Sequence, residues 1–159
     1  MIRIDVLGAP APKGSGRAML VRGKARFIAG GSKINAAKME TFATEIRNRV
    51  AIDVFDGSLP SVPPYVDRPL VVAIVFRLAR PASHWGAGKH AGTLKPKFAS
   101  ALPTTKPDTD KLCRHVLDVL TGLLWDDDAR VVELLVRKEY AQPGNEGATI
   151  LVDEWRPAS

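Results

Sequence analysis

The sequence predicts an α+β domain, with one mixed or antiparallel sheet and two main helices packed on one face of it. Three observations carry that expectation. Six short segments have strand character, two segments have helical periodicity, and they alternate in the order β-ββ-α-β-α-β-β. No internal repeat interrupts this order.

"IRIDVLG" (Ile2–Gly8) alternates apolar and polar residues and reads as a first strand. The prolines and glycines of "APAPKGSGRA" then break any regular pattern. "AMLVRGKARFIA" (Ala18–Ala29) reads as a hairpin with Gly23 in its turn. In the next segment Ile34, Met39, Phe42, Ile46 and Val50 fall at helical spacing, which places a helix near 35–52 with Ser32 or Asn35 as its N-cap. Residues 53–69 hold four prolines and read as a surface loop.

"LVVAIVFRLA" (Leu70–Ala79) is rich in β-branched residues and apolar on both alternating sets over much of its length. It predicts a central strand covered on both faces. The 28 residues from Arg80 to Pro107 show no period, so 81–106 is expected to be a mobile loop, of functional use or simply solvated. Leu112, Val116, Val119, Leu120 and Leu123 then give an amphipathic helix over 108–121 that stops at Gly122. "ARVVELLVRKEYA" and "ATILVDEW" supply the last two strands.

At 159 residues the chain is expected to form one domain, long enough to bury ~70% of its unfolded surface without disulfides. A single cysteine, Cys113, makes no internal bridge, and no run of about 18 apolar residues spans a membrane. The N-terminus carries an acid and a proline where a signal peptide would be apolar, so the chain reads as cytoplasmic.

The net charge is +6, unevenly spread. Residues 1–50 carry +7 and 71–115 carry +6, whereas 116–159 carry −5. Basic blocks of this kind serve solubility or a polyanionic partner. The candidate nucleic-acid contacts are Lys13, Arg17, Arg22, Lys24 and Arg26 in the first third. In and beside the loop they are Lys89, Lys95, Lys97 and Lys106, interleaved with Trp85 and Phe98.

Against that basic background, residues 106–132, "KPDTDKLCRHVLDVLTGLLWDDDARVV", hold six aspartates. One of Asp108 and Asp110 suits a helix cap and the other the positive end of the helix dipole. Convergence with Asp128 would be different, because three carboxylates repel unless a cation sits among them, and oxygen donors suit Mg²⁺ or Mn²⁺. That convergence requires the following strand to start near the N-terminus of the helix. No His/Cys cluster has zinc spacing, and His115 reads as a helix-surface or packing residue. Asp110, Arg114 and Asp118 share one helix face, either as a surface ion-pair ladder or with Arg114 facing a phosphate.

The same stretch resembles the signature of the RusA family of Holliday-junction resolvases. The family pattern is P-D-x-D-N-L-x-K-x-x-L-D-x-L-x-G, then an aromatic, then D-D-x-x-V. "GAPAPKGSGRA" is similar to the family's N-terminal opening. The resemblance implies catalytic, metal-holding acids at Asp108, Asp110 and Asp128, with Arg114 in the place of the pattern's lysine. Asp118, Asp127 and Lys111 match supporting positions; Lys111 stands where asparagine is usual. Both departures keep or add positive charge and remove no carboxylate. The resemblance further implies a Mg²⁺-dependent homodimer that makes paired nicks in a four-way junction during recombination and repair, in a family common in phages and prophages. A non-catalytic branched-DNA-binding protein of the same fold, or a nuclease acting on flaps or single strands, are the alternatives.

Overall fold

A computed structural model describes residues 1–14, 17–21, 24–28 and 33–157, with backbone alone for 17–21 and 24–28. The elements follow the expected order. They are β1 (Ile2–Leu7), β2 (Arg17–Val21), β3 (Lys24–Ile28), α1 (Lys33–Phe55), β4 (Leu70–Leu78), α2 (Thr109–Leu120), β5 (Val131–Tyr140) and β6 (Gly147–Glu154). Among the described residues β2 and β3 pair only with each other; the expected turn residue Gly23 and the candidate cap Ser32 lie outside the described residues.

The main sheet has the order β1-β6-β4-β5. β6 runs antiparallel to both β1 and β4, whereas β4 and β5 are parallel. The sheet is therefore mixed, because α2 carries the chain back between the two parallel strands. Gly147 lets β6 pass close to β1, since a Cβ there would stand 1.9 Å from the Val6 carbonyl oxygen.

β4 lies in the middle of the sheet, but it is fully covered on one face only. Leu70, Val72, Ile74, Phe76 and Leu78 are buried, and the alternate set is half-buried. The expectation of two covered faces fails because both helices pack on the same side. Ile4, Val6, Ile150 and Val152 continue that buried face across the sheet. α1 contributes Phe42, Ala43, Ile46 and Val50, and α2 contributes Leu112, Cys113, Val116, Val119 and Leu120. Ile34, counted in the helical period of α1, is exposed, and the buried residues of α1 begin at Phe42.

The 81–106 segment has more local structure than its lack of period suggests. It contains three 3-10 turns, Ala82–His84, Gly88–His90 and Pro96–Phe98. Arg80 Nη1 donates to the Phe98 carbonyl at 2.8 Å, and His84 stacks on Phe98 with centroids 4.0 Å apart. Phe98 thus has one ring face occupied from within the loop. Irregular spacing of these contacts hides them from any periodicity argument.

Candidate active site

α2 begins at Thr109, with Asp108 at its N-cap position. Asp108 does not cap the helix through its side chain. Its carboxylate instead accepts from Lys111 Nζ at 2.7 Å, and that bond, with the positive charge itself, holds the Asp108 carboxyl below its ordinary range. α2 ends where expected: Gly122, at φ 82°, turns the chain, and its N–H donates to the Trp125 carbonyl at 2.7 Å.

The three consecutive aspartates after α2 have three different fates, since successive residues of a tight turn point in different directions. Asp126 pairs with Arg130 at 3.0 Å, which lowers its pKa. Asp127 accepts the Ala129 N–H at 2.8 Å and so caps the 3-10 turn Asp128–Arg130. Asp128 turns inward. Its Oδ1 accepts from Thr121 Oγ1 and, at 2.9 Å, from Trp125 Nε1. Its Oδ2 takes no hydrogen bond among the described residues.

A groove of about 430 Å³ runs between α2 and β5. Asp110, Cys113, Arg114 and Leu117 form its helix wall, Leu134 and Val136 its floor, and Asp128 closes one end. Asp110 makes no hydrogen bond or ion pair with any described residue. Arg114 is exposed and equally without a carboxylate partner among them. The expected ladder of Asp110, Arg114 and Asp118 therefore does not form; Asp118 pairs instead with Lys13, in the segment after β1.

Cys113 reports the field of this groove. Its thiol pKa is pushed up to about 11, first by burial and then by the Asp128 and Asp110 carboxylates. Both acids therefore act on one buried atom.

The full convergence of Asp108, Asp110 and Asp128 is not present within the single chain. Among the described residues, no group of three or more His, Cys, Asp or Glu side chains could hold a metal ion. The physical reason is the parallel crossover. α2 runs back along β5, so Asp128 meets Thr121 at the C-terminal end of α2, roughly 16 Å of helix rise from Asp110. Asp108 lies at the other end. There Lys138 on β5 donates to the Thr105 and Pro107 carbonyls at 2.8 and 2.9 Å and ties down the approach to α2.

Of its two expected readings, helix surface or packing, His115 takes the second. It is buried against Phe42, and its Nε2–H donates to the Met39 carbonyl at 3.0 Å. Of the candidate nucleic-acid contacts, Lys13 is engaged by Asp118, and Lys95 donates to the Ser83 carbonyl at 2.9 Å. Lys89, Lys97 and Lys106 are exposed. Arg22, and the side chains of Arg17, Lys24 and Arg26, lie outside the described residues. The residues that sequence reasoning missed are Thr121 and Trp125, which hold Asp128. Their one signal is the spacing T-x-x-x-W-x-x-D across the end of a helix. Lys138 had none.

No helix among the described residues is long and apolar enough to cross a membrane. A 40-residue stretch is 48% identical to protein YqaN of Bacillus subtilis (strain 168), covering 25% of this chain and 28% of that relative. The family model described as Endodeoxyribonuclease RusA matches residues 10–150, which include both helices, β4, β5 and the whole groove. The chain belongs to the RusA family of endodeoxyribonucleases.

Proposed function

We propose that this protein is a cytoplasmic, divalent-metal-dependent endonuclease that cuts branched DNA, with a four-way Holliday junction as its substrate, by paired nicks from a homodimer. The observation that carries this reading is the groove shared by Asp110, Arg114 and Asp128, in which neither acid has a cationic partner among the described residues.

The donor set fits a hard ion, because Mg²⁺ is commonly held by one or two carboxylates and keeps several waters. Asp110 and Asp128 would each offer one carboxylate to such an ion, with Mn²⁺ as a substitute, but the helix length between them keeps them from sharing one ion within this chain; Asp108 joins Asp110 by family resemblance. When bound, such an ion lowers the pKa of a water and offsets charge at the scissile phosphate. The chain's own residues do the rest. Thr121 and Trp125 orient Asp128, and the Arg114 guanidinium can fork onto two phosphate oxygens. Lys89, Lys97 and Lys106 supply exposed charge for the DNA backbone. A four-way junction has two-fold symmetry, which a symmetric dimer matches with two sites.

The test is cleavage of matched junction, fork, flap and duplex substrates with and without Mg²⁺. The expected result is metal-dependent nicking of the junction, and an Asp110→Asn variant that binds it without cutting. Undiminished cutting by that variant would refute the assignment, and preference for a flap would move the substrate class. A non-catalytic DNA-binding role is the second reading. It is favoured by the neutralisation of Asp108 by Lys111 and predicts a gel shift without nicks at any Mg²⁺ or Mn²⁺ concentration.

A further inference from the structure

β5 is an edge strand. Its inner side pairs with β4, and among the described residues no strand pairs with its outer side. It runs for ten residues and leaves Val132, Leu134 and Leu135 exposed at 59%, 42% and 56%. A long apolar edge is a template for pairing with another strand unless something blunts it. The charges on β5 are of both signs. Glu133 and Arg137 lie two residues either side of Leu135, on the sheet face that carries no helix.

We infer that two copies of the chain pair β5 to β5, antiparallel, with Leu135 at the two-fold axis. This rests on the homodimer reading above and names its surface. The self-complementary charges select the register. Arg137 faces the partner's Glu133, Glu133 faces the partner's Arg137, and Leu135 meets the partner's Leu135. Leu134 meets the partner's Val136, so Leu134 and Leu135 are covered together, while Val132, at the irregularity of the β4–β5 register, faces the partner's Lys138. A shifted register that set Arg137 against the partner's Glu139 would put Lys138 on the axis against its own copy and leave Leu135 off it. Glu133 is already placed, since Trp155 Nε1 donates to its Oε2 at 3.1 Å. Among the described residues Arg137 has only an exposed contact with Glu139 at 3.5 Å and is available to a partner. The dimer doubles the four-stranded sheet into one continuous sheet.

The geometry gives a direct test. Residues facing each other across an antiparallel pair have Cα atoms about 4.5–5.5 Å apart, within the roughly 4.4–6.8 Å span of a disulfide. Leu135→Cys is expected to form a disulfide-linked dimer on mild oxidation. Leu7→Cys, exposed on the opposite edge strand, is not. Arg137→Glu is expected to weaken the dimer at least about tenfold in sedimentation equilibrium, because like charges then face each other. Adding Glu133→Arg restores it. If the wild-type chain sediments as a dimer while Leu135→Cys does not cross-link and Arg137→Glu changes nothing, the axis lies elsewhere and the homodimer reading stands. A wild-type chain that remains monomeric with junction DNA present would overturn both.

Discussion

The Trp125 indole donates to Asp128 Oδ1 at 2.9 Å, and both residues sit on the one turn that links α2 to β5. Thr121 donates to the same oxygen. One oxygen of the carboxylate is thereby fixed by the protein, and the other is left to the groove. Removing such orienting bonds typically costs about 10–100-fold in metal affinity or activity. Thr121→Val should therefore raise the Mg²⁺ concentration needed for half-maximal cleavage by about tenfold. Its melting temperature should fall only slightly, as one hydrogen bond is worth about 1 kcal/mol. A metal titration and a thermal melt of the same variant separate the two effects.

Arg114 has no partner to lose among the described residues. Arg114→Ala should leave stability within about 0.5 kcal/mol of wild type. Cleavage should fall by about 100-fold, and the salt slope of junction binding by about one unit, as expected for one lost phosphate contact. Arg114→Lys should restore the salt slope more fully than the rate, because lysine keeps the charge and loses the planar fork. Equal recovery of both would argue against a forked contact.

Burial lowers the His115 pKa, and Lys13 and Arg47 push it the same way, against the Met39 hydrogen bond and Asp118. The folded pKa thus lies below the unfolded value of about 6.5. Between the two, the unfolded chain binds the proton and the folded chain does not, so stability is full above pH about 6.5 and declines as pH falls below it. Urea midpoints measured from pH 8 to 5 should fall, and the fall should be shallower in His115→Gln. A wild-type midpoint that rises on acidification would contradict this.

A thiol with its pKa pushed up to about 11 is almost wholly protonated at pH 8. Cys113 should label slowly with a thiol reagent in the native protein and quickly in urea. A divalent ion held at either Asp110 or Asp128 would offset part of their field and lower that pKa. Mg²⁺ should therefore speed labelling at pH 9 in wild type, but not when both acids are changed to asparagine. This readout of metal binding needs no cleavage.

Much of the fold was legible because local patterns and the packing surface agree. The alternation in Ile2–Leu7 and the 3-4 spacing of Leu112, Val116, Val119 and Leu120 each mark a buried stripe that is where the pattern puts it. Gly122 ends α2 because a positive φ suits glycine there. The pattern misled at Ile34, which has helical spacing yet is exposed. It also misled at β4, where branched apolar residues on both sets imply two covers and the chain supplies one.

The candidate site divides in the same way. Which side chains carry the chemistry, and that they cluster as aspartates beside an arginine in a basic chain, follows from the order of residues alone. Their mutual placement does not. Whether Asp128 stands beside Asp108 or a helix length away depends on the direction of β5 relative to β4. That direction is settled by long-range strand pairing and the packing of α2, through contacts between residues about 60 positions apart. Local sequence encodes the identity and inclination of each element. Only the closed sheet assigns Asp118 to Lys13, Asp128 to Trp125, and a shared groove to Asp110 and Asp128.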